Sequence, residues 1–563
     1  MANFTQSVDG TIAALRTIDG ELAGMAQEAR TTLDVAVLRV NALVRQVYDL
    51  NEEIASRSAA GGNANGPLDQ RQLALDELSG LVQLKVINQP DSRVTLETAT
   101  GAVLLDRRMR QLDTPDASGA IAVRLMTGDA NGSVATGDKI VSAAVGGTIG
   151  GIIEVRDRVL PGLSAELNTL FTGMATALNA VSNASSAVPA PAVLQGRSSG
   201  LRQADRLGFT GATTFAVVAG DGKLITKTRV DLGALGPNAT VKDALDAINV
   251  GLAGKATATM VNGVLSLTAA DPAQGVVVAE DAGSRSDRAG VGFSQFFGLN
   301  DLVRSAAAPL APTGLTAADP HGFGPGESVG MEVRDAAGTV LARHVLTGSG
   351  GGTNAALLAE LNASPLAGHG SFSMDGQGHV MFAPTAGPSA AKVAIVNDTT
   401  DRFGTGLRFS EWSGLSPQAG GLADSGITAA MAAGPRRVPL ARFDTSAAVG
   451  TKALSAGDVR GTTAFVTQLS AVVDFTGRGS STIAAFANRV IGNIGVSSAG
   501  ANAESHAASA RFDDAVTRRD NFSGVNTEEE LALMVTLKGS YNASARVVSV
   551  TAQMYDTLIN MID

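Results

Sequence analysis

Few residues of this 563-residue chain could do chemistry, because it has no cysteine and only five histidines. The absence of cysteine removes thiol nucleophiles, thiolate metal ligands and disulfides. The histidines show no metal-binding spacing such as H-x-x-x-H; they are His321, His344, His369, His379 and His506. Residues 196–200, GRSSG, match G-x-S-x-G, but a nucleophilic Ser198 would need a strand before it and a helix after it. Because an Ala/Pro-rich stretch precedes it and no helix start follows, we interpret this stretch as a flexible linker.

The remaining motifs also lack the parts of a catalytic site. The glycine-rich stretch 348–354, GSGGGTN, has neither the Lys-Ser/Thr of a P-loop nor the spacing of a dinucleotide-binding loop. We interpret it as a turn before a helix. Asp and Glu total 53, but no feature singles out a catalytic pair. The sequence therefore predicts no catalytic residue, no cofactor and no metal site, and a protein that is not an enzyme.

Charge and hydropathy limit the classes of partner that the sequence predicts. The net charge is −10 and no dense Lys/Arg run occurs, so we expect no nucleic-acid partner. No stretch approaches the roughly 18 consecutive apolar residues of a membrane span, so we expect no membrane insertion. The first residues, MANFTQSVDG, lack the charged and apolar regions of a cleavable signal peptide.

The elements that would position any site begin with a long amphipathic helix. Apolar residues recur at spacings of three and four from Leu15 to Ile54, with two successive spacings of four before Leu33. Such a stutter locally relaxes a left-handed supercoil. Since no Pro or Gly lies between Met25 and Ala60, the pattern predicts one helix that ends at the loop 59–66.

The carboxyl end predicts a second long helix with a thin apolar seam. The seam residues follow one another at spacings of four and three; they are Tyr541, Ala545, Val548, Ala552, Tyr555, Ile559 and Ile562. Asn526 or Thr527 could cap the helix start, and Glu528 and Glu529 place negative charge at the positive end of the helix dipole. The spacing is typical of a coiled coil, so we expect the seam to be covered by another molecule, with folding on that partner. The alternative is a helix docked on residues 15–54 of its own chain.

Between the two ends the sequence predicts β-rich insertions. A short helix over 67–79, strands to about residue 145, a helical stretch from 146 in which Pro161 opens a helix, and a linker over 182–193 are expected. FAVVAGDGKL at Phe215 and MEVRDAAGTV at Met331 are 116 residues apart, as are GFSQFFGL (292–299) and RFSEWSGL (408–415). This order of matched pieces predicts a tandem duplicated module.

The expected fold class is therefore α+β and multidomain, with coiled-coil-like helices from both ends forming an α core that carries β-rich inserted domains. The predicted boundaries are 1–66, 146–190 and 440–563 for the helical core, 67–145 for a small insertion, and 200–310 and 316–425 for the two modules.

Three segments resemble one family. LDQRQLALDELSGLVQLKV, GGTIGGIIEVRDRVLPGLSAELNTL and SGVNTEEELALMVTLKGSYNASARVVSVTAQMYDTLINMI are similar to the FlgK family of flagellar hook-associated proteins. The resemblance implies a structural protein, secreted through the flagellar type III export apparatus, that polymerises through terminal coiled-coil helices at the hook–filament junction. The partners it implies are other copies, the hook protein, the second hook–filament junction protein and an export chaperone at the C-terminal helix.

Two points stay open at the level of sequence. Family members begin with a further helical segment, and MANFTQSVDGTIAAL stands where a later helix of the family is expected, so the N-terminal half of the innermost coiled coil is expected to be absent. Either the start codon is misassigned, or the segment lies elsewhere, or this is a truncated homologue. A flagellin-like surface adhesin that binds a ligand through the paired modules is the alternative function, and an enzyme embedded in the insertion is a third. The position of the protein, at the hook–filament boundary or over the cell surface, separates the first two.

Overall fold

A computed structural model describes residues 2–114, 121–127, 132–140, 145–281, 283–306, 309–335, 340–385, 391–415, 421–475, 478–523 and 527–560. The chain divides into two compact units, Met1–Ala487 and Asn488–Asp563. Helices and several small separate sheets alternate along the first unit, which gives an α+β multidomain fold. The helices are α1 (Ala2–Ala59), α2 (Asn65–Leu81), α3 (Gly147–Glu154), α4 (Leu160–Asn183), α5 (Val241–Leu252), α6 (Phe293–Phe297), α7 (Asn354–Ala363), α8 (Phe409–Trp412), α9 (Ala429–Ala432), α10 (Arg460–Ser470), α11 (Ile483–Ser523) and α12 (Thr527–Asn560).

The strands before α3 form two three-stranded antiparallel sheets, ordered β1-β2-β3 and β4-β5-β6. They are β1 (Leu84–Asn88), β2 (Val94–Thr98), β3 (Val103–Leu105), β4 (Arg110–Leu112), β5 (Ile121–Met126) and β6 (Ser133–Ile140). Their buried side chains, such as Leu96 and Ile121, join those of α1, α2 and α3 in one hydrophobic core. The single long N-terminal helix that the sequence predicts is confirmed as α1.

Pro161 lies in the first turn of α4, as the sequence predicts, but α4 does not begin after a break in the helix. The chain stays helical from Gly147 to Asn183, and a π-helical turn at Val155–Val159 joins α3 to α4. Proline has no N–H to bond the carbonyl four residues earlier. A π turn just before Pro161 accommodates the lost bond, and the helix continues without a break.

The strands after α4 form six further small sheets in the described part of the chain, and most of these strands belong to two segments with the same order of elements. The first segment runs strand, strand, α5, hairpin, strand, α6, short strand, and the second repeats this order around α7 and α8. These strands are β7 (Val193–Ser198), β8 (Ala212–Ala219), β9 (Leu224–Asp231), β10 (Ala256–Val261), β11 (Val264–Ala269), β12 (Gln274–Glu280), β13 (Val303–Ser305), β14 (Val329–Arg334), β15 (Val340–Leu346), β16 (Gly370–Met374), β17 (Val380–Pro384), β18 (Lys392–Asp398), β19 (Ser425–Ile427), β20 (Val472–Phe475) and β21 (Gly479–Thr482). In each segment the first strand is the centre of its sheet, with orders β12-β8-β9 and β15-β14-β18, and β13 pairs with β19.

A buried arginine, Arg402, and a half-buried one, Arg206, join the two segments. The guanidinium of Arg402 donates to the carbonyl of Gly200 and to Asp205 at 2.9 Å, and Arg206 makes a two-pronged ion pair with Asp319 at 2.9 and 3.1 Å. Burial lowers the pKa of the Arg402 guanidinium. One hydrophobic core includes residues of both segments, from Leu194 to Trp412.

The stretch 182–193 joins α4 to β7, as predicted for a linker, but it is packed rather than flexible. Ser185, Ser186 and Ala187 are buried. GRSSG is not a flexible linker either, because β7 covers its first three residues and pairs with β11. The Ser198 hydroxyl donates to the carbonyl of Thr405 at 2.7 Å, and no helix follows it. The Pro/Ala/Ser composition misled because small residues allow close packing as well as freedom.

Candidate assembly surface

The C-terminal helix α12 begins at Thr527, with Glu528, Glu529 and Glu530 in its first turn. Carboxylates at this end interact favourably with the unpaired N–H groups and the dipole of the helix. The predicted cap Asn526 lies outside the described residues. The composition of the first turn therefore favours a helix start here without any contact from the rest of the chain.

Four of the predicted seam residues lie on α12 with exposed side chains. Tyr541 is 74% exposed and Val548 is 69% exposed, and Ala545 and Ala552 are exposed as well. Tyr555 and Ile559 belong to the helix, but their side chains are not described, and Ile562 lies outside the described residues. All described side chains of α12, from Glu528 to Met554, are exposed.

The apolar surface of α12 is larger than the predicted seam. Successive residues of a helix are turned by about 100°. Met534 and Leu537 therefore extend the seam by two turns towards the start of the helix, and both are exposed. The spacing of three and four predicts this extension as well, but the predicted seam begins only at Tyr541.

A second apolar stripe follows the other side of α12. It consists of Ala543, Val547, Val550 and Met554, and the three larger side chains are 53–65% exposed. By the same helical geometry it lies roughly 140° from the seam. Asn542, Arg546, Ser549 and Gln553 form the polar sector on one side between the two stripes. A helix that is apolar on two sides suits a position between two neighbours rather than one.

Two of the three segments that carried the family resemblance, those with LDQR and IEVRD, lie in the first unit and have structural roles there. Arg71, in LDQR, donates through Nη1 to Oδ1 of Asn51 at 2.9 Å and to the carbonyl of Ser92 at 2.7 Å. Asn51 in turn donates to the carbonyl of Val94 at 2.9 Å and accepts its N–H at 3.1 Å. These bonds fix α1, α2 and β2 together. Burial lowers the pKa of the Arg71 guanidinium.

The IEVRD segment forms the π turn before α4. Arg156 makes a two-pronged ion pair with its neighbour Asp157 at 2.7 and 2.8 Å, and Arg158 pairs with Glu154. The charged groups thus bind each other along the helix surface. This segment therefore contributes ion pairs along the helix.

The described residues contain no group of three or more His, Asp or Glu side chains that could hold a metal ion. No helix in the described ranges is long and apolar enough to cross a membrane. The most prominent unexplained feature of the described chain is therefore the exposed apolar surface of α12.

Two family models match the regions just described. The model of the flagellar hook-associated protein FlgK helical domain matches residues 2–187, which contain α1 to α4. The model of the flagellar basal body rod FlgEFG protein C-terminal region matches residues 519–561, which contain α12. The two matches together support a FlgK-type hook-associated protein.

Curated relatives agree with this family. "Flagellar hook-associated protein 1" of Bacillus subtilis (strain 168) is 34% identical over 100 residues, which are 17% of this chain and 20% of that protein. "Flagellar hook-associated protein 1" of Salmonella typhimurium is 24% identical over 177 residues, 31% of this chain and 32% of that protein. The matched part thus spans about a fifth to a third of these relatives.

A solved structure, the flagellar hook junction protein FlgK from Burkholderia pseudomallei, aligns over 90% of this chain and 87% of that chain. The sequence identity is 14% and the TM-score is 0.38.

Proposed function

We propose that this chain is a structural protein of the bacterial flagellum that joins the hook to the filament and catalyses no reaction. It leaves the cell through the flagellar type III export apparatus. It then polymerises by packing α12 against helices of neighbouring subunits, as terminal coiled-coil helices do in its family.

One observation carries this proposal: α12 exposes apolar side chains along its described length. Val548 and Val547, on different stripes, are 69% and 65% exposed. Exposed apolar area on this scale marks a binding surface in a soluble protein. Burying one such side chain contributes about 1.5–3 kcal/mol. Several side chains on each stripe therefore offer enough free energy to hold a helix in an assembly.

The two stripes support contacts with two neighbours at once. We infer that the stripe of Tyr541 and Val548 packs against one helix and the stripe of Val547 and Met554 against another. The neighbours are other copies of this chain, the hook protein on one side and the second hook–filament junction protein on the other. A polar sector through Asn542 and Ser549 faces water.

The test compares two adjacent glutamate substitutions in a strain that lacks the chromosomal gene. Val548→Glu places a charge on the seam, while Ser549→Glu places the same charge on the polar sector. We expect Val548→Glu to give hooks without attached filaments and Ser549→Glu to leave filaments and swimming unchanged. The amount of each protein in the culture medium shows whether export is intact. Equal behaviour of the two variants would contradict the proposal.

An export chaperone that covers α12 before secretion is part of the proposal, because an exposed apolar helix would otherwise associate in the cytoplasm. Co-purification of the full-length chain with cytoplasmic proteins would reveal it. If Val547→Glu breaks this complex and Val548→Glu does not, the chaperone occupies the second stripe. If both variants keep the complex, the chaperone binds elsewhere and this part of the proposal fails, while the filament test stands alone.

A further inference from the structure

The first two sheets and the helices around them form a body with its own hydrophobic core. This core begins at Leu33 on α1 and ends at Ile153 on α3, and we call residues 33–153 the insertion body. The chain enters the insertion body along α1 and leaves it along α3, the π turn and α4. Two helical segments therefore connect it to the rest of the first unit.

The first turns of α1 are attached to the rest of the first unit. Leu15 is buried, and the ring of Phe4 lies 5.0 Å from the ring of Phe465 on α10. Arg16 donates through Nη1 to the carbonyl of Ser425 at 3.3 Å. Helix α1 is thus held at both ends, by the insertion body and by the elements that follow α4.

Between these two attachments α1 crosses a stretch without buried side chains. Every residue from 16 to 32 is exposed or half-buried, whereas Leu15 and Leu33 are 9% and 1% exposed. At a rise of 1.5 Å per residue, Leu15 and Leu33 are about 27 Å apart along the helix. This length of α1 contributes a buried side chain to neither core.

The returning helix has a similar gap. None of residues 154–159 is buried, although Ile153 and Leu160 on either side are. Residues 155–159 form the π turn, which interrupts the regular hydrogen-bond pattern of the helix. Helices bend sharply at such turns more readily than at regular α-helical turns.

The two gaps lie side by side. The hydroxyl of Ser164 on α4 donates to Asp19 on α1 at 2.6 Å. Ile153 and Leu33, which share one core, lie further along, so the two helices run antiparallel. Seven residues before Ser164, the π turn is therefore level with about residue 26 of α1. We call residues 20–32 and 154–159 the neck.

Glycines weaken α1 in the neck without a packing reason. A Cβ added at Gly20 or Gly24 would meet no atom within 4 Å outside its own stretch of helix. Close packing therefore does not require glycine at either position. Glycine lowers the stability of a helix relative to alanine, because it has more conformational freedom to lose.

We propose that the neck is a hinge about which the insertion body tilts against the rest of the first unit. Bending within the plane of the two helices would stretch one and compress the other, whereas bending out of that plane does neither. The hinge axis therefore lies in the plane and crosses both helices. Both cores stay intact during this motion, because their buried side chains lie outside the neck. The hinge rests on the packing of the first unit and does not depend on the proposed function.

The test measures a distance across the neck. Because the chain has no cysteine, introduced cysteines carry spin labels at chosen positions only. Leu73 on α2 and Val466 on α10 are exposed and lie on opposite sides of the neck. Double electron–electron resonance on the full-length chain with Leu73→Cys and Val466→Cys gives the distribution of distances between them.

Two control pairs lie on one side of the neck each. Leu73→Cys with Val86→Cys probes the insertion body, and Thr11→Cys with Val466→Cys probes the rest; all these positions are exposed. We expect the distribution across the neck to be about twofold wider than either control. A distribution across the neck no wider than the controls would overturn the proposal.

Alanine substitutions locate the bending. Gly20→Ala combined with Gly24→Ala should narrow the distribution across the neck by about 1.5-fold, because alanine stabilises the helix. Gly10→Ala is the matched control, since Gly10 also lies on α1 and has no neighbour within 4 Å, but belongs to the attached first turns. It should leave the width unchanged. An unchanged width in the double variant, or equal narrowing by Gly10→Ala, would overturn the placement of the hinge in the neck.

Discussion

Helices α1 and α12 carry the same kind of apolar pattern but differ in what covers it. On α1, Val40, Val44 and Val47 are at most 1% exposed. On α12, Tyr541 and Val548 have the same spacing and are about three-quarters exposed. A spacing of three and four therefore predicts a helix with an apolar side, but not whether the chain covers that side itself.

The segments that follow α1 explain the difference. Helix α2 and strands β2 to β5 bring Leu78, Leu96 and Val123 into one core with the seam of α1. The helix before α12 is instead rich in Ala, Gly and Ser over residues 495–510 and offers few large apolar side chains. A covered seam contributes to the stability of the free chain, whereas an exposed seam contributes only when a partner binds.

The largest expected difference between the two helices is in hydrogen exchange of the dilute, free chain. We expect amides of residues 33–54 to exchange on the order of a thousandfold more slowly than those of residues 531–552, because α12 can open without disrupting a core. Mass spectrometry on the full-length chain measures this. Equal protection of both segments would show that the free chain already covers α12, which would remove the physical basis for assembly through this helix.

The next largest difference is in how the two helices tolerate a charged side chain on the apolar seam. Val44→Asp is expected to lower the free energy of unfolding by about 3–5 kcal/mol, because the carboxylate would have no partner in the core. Val548→Asp, on the exposed seam, should change it by less than about 0.5 kcal/mol. Urea unfolding followed by circular dichroism compares them. A large effect of Val548→Asp in the free chain would contradict the comparison.

Removing the buried side-chain hydrogen bonds of Asn51, on α1, should have a smaller effect on stability. Asn51→Ala removes one of the two acceptors of Arg71 and leaves the backbone N–H and carbonyl of Val94 without their buried partner, so we expect a loss of about 2–3 kcal/mol. Asn542→Ala on the polar sector of α12 is the matched control and should be neutral. Urea unfolding measures the stability of both variants. An Asn51→Ala variant with an unchanged free energy of unfolding would show that water replaces the hydrogen bonds of Asn51.

The smallest expected effect is on the pH dependence of the free energy of unfolding, through Glu52 on α1. The hydrogen bond from Arg93 holds the pKa of Glu52 below its ordinary value of 4.5. Ionised Glu52 therefore stabilises the folded state above that pH, and this contribution is lost as the pH falls through the lower folded-state pKa. Since both groups are partly exposed, Glu52→Gln should cost about 0.5 kcal/mol at pH 7.

The cost of Glu52→Gln should disappear in strong acid, where the wild-type carboxyl is protonated as well. Glu529→Gln on α12 is the control and should leave the unfolding curve unchanged at both pH values. A cost that persists in acid would assign the effect of Glu52→Gln to packing rather than to charge.

The sequence was informative where local rules decide the structure. The run without Gly or Pro between Met25 and Ala60 indicated the continuity of α1, and the three glutamates after Thr527 indicated where α12 begins. The same local reasoning placed Pro161 in the first turn of α4, but it did not reveal the π turn that joins α3 to α4.

Local reasoning also failed where small residues pack closely. A Cβ at Gly196 would collide with the carbonyl oxygen of Phe297, so glycine there permits close approach of β7 and α6. The buried Asn179 of α4 accepts the N–H of Leu302 and donates to the carbonyl of Val303. These bonds hold the start of β13 against α4. Such contacts join residues more than a hundred positions apart, and composition alone does not reveal them.

By itself, the sequence determined the helical period, the start of the last helix and the resemblance to one family. These follow from local propensity and residue chemistry, which do not depend on distant contacts. Only the tertiary structure decided which apolar stripe is buried, which hairpin edge receives a third strand and which short, small-residue stretch is rigid. Each of these depends on which distant part of the chain reaches the surface first, and that is a property of packing in three dimensions.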